Sequence, residues 1–74
     1  DLTMELTMNE DVLNTTVRKF LKKLGVTAQR EIEQAVRKAA ADGKLKGEPL
    51  IAKANITIDG VGLSFDVDGA IEVE

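Results

Sequence analysis

Seventy-four residues with no cysteine, no histidine and only two aromatic side chains, Phe20 and Phe65, exclude disulfides, thiolate or histidine-based nucleophiles and the usual zinc sites. No apolar run reaches transmembrane length, so the chain reads as one small cytoplasmic domain over 1–74, near the size where a single aliphatic core is marginal. The net charge of −3 is segregated: all ten basic residues lie between Arg18 and Lys53, a span with four acidic ones and +6 overall, between acidic ends of −4 and −5.

Residues 1–8 alternate polar and apolar, with Leu2, Met4, Leu6 and Met8 on one face of an extra N-terminal strand at 2–8. The other reading makes Met8 the natural start and residues 1–7 upstream sequence. Both stay open at this point.

A first helix is expected from Glu10. Leu13, Val17, Phe20, Leu21 and Leu24 share one face of a 3.6-residue period. Asn9 is placed to cap it, with Glu10 and Asp11 at the positive end of its dipole. Gly25 fits a left-handed stop, Val26 closes on Leu21, and Thr27 caps a second helix. The second stripe is Ile32, Ala35, Val36, Ala39 and Ala40, and Gly43 ends it.

Lys44 to Pro49 reads as a loop, with Pro49 at a strand entry. Alternation over Ala52–Ile58 and Val61–Val67 flanks Asp59-Gly60, a two-residue hairpin signal. Folding about that turn pairs Ile58 with Val61, Ile56 with Leu63, Ala54 with Phe65 and Ala52 with Val67. On the polar face it pairs Asn55 with Ser64 and Lys53 with Asp66. A three-residue turn, Val67-Asp68-Gly69, then leads to a short third strand. The expected fold is α+β: a two-helix hairpin packed on one face of a three-stranded antiparallel meander, ααβββ.

No catalytic, cofactor or metal residue is nominated. Asp59, Asp66, Asp68 and Glu72 gather near the hairpin ends, but turn and strand chemistry explains each. Ser64-x-Asp66-x-Asp68-Gly69 matches half of a calcium loop and lacks the closing glutamate.

Leu24-Gly25-Val26-Thr27 between two helices, with a hairpin after them, is helix-turn-helix-like. Arg18, Lys22, Arg30, Arg37 and Lys38 are the candidate phosphate contacts. Against this, Glu31 and Gln34 stand where that motif wants apolar residues, and the hairpin is acidic. A membrane role is not expected, because the first helix uses its apolar stripe in the core.

From Met8 to Glu74 the chain resembles a family of short bacterial proteins of unknown function. The likeness rests on Met8-Asn9-Glu10-Asp11-Val12, Arg18-Lys19-Phe20-Leu21-Lys22-Lys23, Gly25-Val26-Thr27, Arg30-Glu31-Ile32-Glu33 and Gly43-Lys44-Leu45-Lys46-Gly47. It continues through Gly62-Leu63 and Val67-Asp68-Gly69. The resemblance implies Met8 as the start, which weakens the N-terminal strand. It brings no activity, cofactor or site residue. The leading expectation is a non-enzymatic protein-interaction domain, with a homo-oligomer as one form. Nucleic-acid binding through the basic helix faces is the alternative.

Overall fold

A computed structural model describes residues 8–74. The strand expected at 2–8 falls on residues outside that range, save Met8. The described elements are one helix, α1 (Glu10–Ala41), and two strands, β1 (Leu50–Ile58) and β2 (Leu63–Ile71). They belong to two compact units, one ending at Asp42 and one spanning Gly43–Glu74.

The expected two-helix hairpin is corrected to a single helix of 32 residues, about 48 Å long at 1.5 Å per residue. It runs through Gly25, Val26 and Thr27 without a break. Gly25 does not take the positive φ that a left-handed stop requires. The physical reason is a balance of costs. One glycine inside a helix costs about 1 kcal/mol against alanine. Ending one helix and starting another would leave four carbonyls and four N–H groups to be satisfied elsewhere. Lys22, Lys23 and Leu24 before Gly25, and Ala28, Gln29, Arg30 and Glu31 beyond Val26 and Thr27, are good helix formers.

Both outer ends of α1 match the sequence. The Asn9 side chain accepts from the Asp11 and Val12 N–H groups at 3.0 and 3.1 Å. Such caps contribute on the order of 1 kcal/mol. At the other end Asp42 caps the helix, and its N–H donates to the Lys38 carbonyl at 3.0 Å. Gly43 follows at φ 71, the left-handed residue that stops the helix.

In the second unit β1 and β2 form a two-stranded antiparallel sheet. The expected three-stranded meander is therefore corrected as well. Ile58 pairs with Leu63, Ile56 with Phe65, Ala54 with Val67, Ala52 with Gly69 and Leu50 with Ile71. This register is displaced by two residues from the one expected. The side-chain period in a strand is two, so the shift keeps every apolar residue that stays in a strand on its expected face, and Val61 passes into the turn. The turn lengthens to Asp59-Gly60-Val61-Gly62, where Gly60 and Gly62 have φ of 91 and 65. A second glycine was free to turn, so the turn absorbed it and kept it out of the strand.

Val67-Asp68-Gly69 is continuous strand, and Gly69 has no positive φ. The segment expected to fold back as a third strand instead extends β2 to Ile71. There it pairs with β1 as far as Leu50 and sets Asp68 opposite Lys53. Pro49 stands immediately before β1, as expected.

No described residue is buried. The aliphatic core expected from the composition is not formed within either unit. The helix taken by itself, and the hairpin taken by itself, leave their apolar faces uncovered.

Candidate functional site

The apolar stripe of α1 is the most extensive feature that the sequence builds. Leu13, Val17, Phe20, Leu21, Leu24, Ala28, Ile32, Ala35, Val36 and Ala39 follow one another at three- and four-residue steps. Phe20 is 52 % exposed, Leu21 49 % and Leu13 43 %. Continuity through Gly25 puts both expected stripes in phase on one helix. Leu13, Leu24 and Ala35 stand eleven residues apart, as do Val17, Ala28 and Ala39, and Leu21 and Ile32. Eleven residues in three turns is 3.67 per turn, close to the natural helix, so the stripe runs almost along the axis. Its N-terminal half is bulky and its C-terminal half is mostly alanine.

The five candidate phosphate contacts all lie on α1 and are exposed. Helix geometry puts Arg18 and Lys22 on successive turns of one flank of the stripe, with Lys38 on the other. Arg30 and Arg37 lie further round. The continuous helix therefore spreads them about its circumference and does not gather them into one patch. Two are engaged by carboxylates: Arg37 Nη2 lies 3.4 Å from Glu33 Oε1, and Lys38 Nζ 3.2 Å from Asp42 Oδ2. The helix-turn-helix-like reading loses its turn, because residues 25–27 are helical.

The side of α1 away from the stripe carries an open groove lined by Val26, Gln29, Arg30, Glu33, Gln34 and Arg37. It is the gap between side chains three, four and seven residues apart. Gln29 Nε2 donates to Glu33 Oε2 at 2.9 Å. That hydrogen bond is the main cause that holds the Glu33 carboxyl below the ordinary glutamate range, against an opposing desolvation and with help from the Arg37 charge and hydrogen bond. A group with a depressed folded pKa adds stability above its unfolded value and loses it as pH falls through the folded one. The Glu33 contribution is thus expected to be intact above about pH 4.3 and to fade below it. Carboxyl NMR titration is expected to show Glu33 protonating below the ordinary glutamate range. Gln29→Ala is expected to remove the largest single contribution to that lowering.

The polar face of the hairpin holds one hydrogen-bonded cluster. Asn55 Nδ2 donates to Asp66 Oδ1 at 2.8 Å and to the Phe65 carbonyl at 3.2 Å. Thr57 Oγ1 donates to Asn55 Oδ1 at 2.7 Å. The Asn55 Nδ2 bonds tie the two strands together across the exposed face, and the Thr57 bond holds the Asn55 side chain from within β1. Ser64, Asp66 and Asp68 alternate along an extended strand and do not curl into a calcium loop. Among the described residues no group of potential metal-ligating side chains comes together. The opposite face is apolar throughout, with Phe65 43 % and Leu63 39 % exposed. A two-stranded hairpin with one open apolar face is marginal by itself in water.

Among the described residues no helix is long and apolar enough to cross a membrane. Fold and surface together define a small α+β chain, one long helix and one hairpin, with an apolar face on each. The chain belongs to a family of unknown function, DUF6494, whose model matches residues 8–74. The uncharacterised family that the sequence resembled is thereby met. No curated protein and no solved structure matches the chain.

Proposed function

We propose that this chain is a non-enzymatic protein-interaction domain of the bacterial cytoplasm, working through the apolar face of α1. The observation that carries this reading is the stripe itself, from Leu13 to Ala39, of which no residue is buried. An isolated helix gains little from propensity alone, and most helices owe their stability to packing of the apolar face. Contiguous exposed apolar surface of this kind marks an interaction site more often than a free surface. The apolar face of the hairpin adds a second contact of the same nature.

Site-specific photo-cross-linking in cells tests this. A benzophenone side chain at Phe20 or Leu24 is expected to capture protein, whereas the same group at Arg30, off the stripe, is not. Absence of protein adducts at Phe20 and Leu24 would overturn the reading. So would adducts to nucleic acid from the basic flanks with none from the stripe.

A further inference from the structure

We infer that the occupant of the α1 stripe is a second copy of the same helix, laid antiparallel about a two-fold axis at the level of Val26. The inference rests on the interaction reading above and names its partner. It comes from two independent asymmetries along one continuous helix.

The first asymmetry is size. Residues before Gly25 on the stripe are Leu13, Val17, Phe20, Leu21 and Leu24. Those after it include Ala28, Ala35 and Ala39. An antiparallel partner centred on Val26 sets Leu13 against Ala39, Val17 against Ala35, Phe20 against Ile32 and Leu24 against Ala28. Three of these four layers set a larger side chain against alanine, the fourth sets Phe20 against the smaller Ile32, and all eight residues lie on the stripe. A parallel partner would set leucine and phenylalanine against themselves at one end and alanine against alanine at the other. The helices would splay at the first end and leave voids at the second.

The second asymmetry is charge. Arg18, Lys19, Lys22 and Lys23 stand together, with no acidic residue between Val12 and Arg30. Glu31, beside the stripe, falls at a level facing that block in the antiparallel arrangement. Glu31 and Lys23 share a flank, so the two-fold brings them together twice. A parallel partner would put the two cationic blocks at the same level with no carboxylate facing either. Helix dipoles oppose in the antiparallel pair and align in the parallel one. Gly25, on the rim of the stripe beside the axis, has nothing within 4 Å of where a Cβ would stand. It leaves room for the second helix at the point of closest approach.

The test uses the full chain, whose lack of cysteine permits single labels. Spin labels go on Thr15→Cys, Val26→Cys or Arg37→Cys, all off the stripe, and distances are read by pulsed dipolar spectroscopy. An axis at residue 26 separates the Thr15 labels along the helix by about 33 Å, and the Arg37 labels by the same amount, at 1.5 Å per residue. The Val26 labels have no axial separation. All three positions lie on the outer sides of the pair, so the expected result is a distance at 26 set by the width of the pair alone and longer distances at 15 and 37. Equal distances at all three positions would overturn the inference in favour of a parallel pair. A monomer by light scattering at the labelling concentration would overturn it outright. If the cross-links in cells then led to a different protein, the interaction reading would stand while this inference failed. Charge exchange gives a second check. Lys23→Glu is expected to weaken association about tenfold, and Lys23→Glu with Glu31→Lys to restore it. A double variant as weak as the single one would overturn the register.

Discussion

Replacing Ala28 with proline is expected to destabilise α1 by about 3 kcal/mol, because proline removes a helical hydrogen bond and its ring clashes with the carbonyl four residues back. Far-UV circular dichroism at low protein concentration reads the loss directly. The substitution separates the two architectures that the sequence allows. With Thr27 as a cap, residue 28 would be the first position of a second helix, where proline is favoured. In the continuous helix it is interior. Gly25→Ala is the converse probe. Gly25 has an ordinary backbone and open space for a methyl group, so alanine is expected to raise helix stability by about 1 kcal/mol. A left-handed glycine at a turn would lose stability on the same change. Tolerance of Ala28→Pro combined with damage from Gly25→Ala would disprove the single helix.

The second large effect belongs to the hairpin turn. Gly62 has φ of 65, and a β-branched residue there is expected to cost about 1–2 kcal/mol. A two-stranded sheet has little reserve, so Gly62→Val is expected to abolish the cross-strand NOEs between Ile58 and Leu63. Gly69 supplies the contrast. It is extended within β2 and faces open space, so Gly69→Ala is expected to leave those NOEs in place. If residue 69 were instead the left-handed residue of a second turn, alanine there would be the damaging change, and the long β2 would be refuted.

These probes fall where sequence and structure parted, and the reasons are physical. Asn9 and Gly43 were legible because caps are local: a side-chain oxygen reaching the first-turn N–H groups, and a backbone angle that only glycine adopts freely. The two faces of the hairpin were legible because alternation has a period of two and survives a two-residue slip. The register was not. Asp59-Gly60 satisfies the turn rules as well as the longer Asp59-Gly60-Val61-Gly62 does, and the choice depends on pairing at the far end, Leu50 with Ile71. Gly25-Val26-Thr27 likewise has the composition of a stop. The contrary signal was present in the eleven-residue recurrence of Leu13, Leu24 and Ala35, which keeps its phase through the glycine.

The candidate site followed the same division. The sequence alone determined which residues are apolar, where the cations cluster, and which chemistries the lack of cysteine and histidine removes. It also determined the outer ends of the helical segment, at Asn9 and Gly43, since those rules act within one turn of chain. Only the folded structure decided that two stripes are one, that three expected strands are two, and that Arg18, Lys22, Arg30, Arg37 and Lys38 lie around a helix and not on a single patch. Each of those outcomes compares a local penalty, about 1 kcal/mol for a glycine in a helix, with hydrogen bonds summed over a whole element, and that comparison is settled across the length of the element.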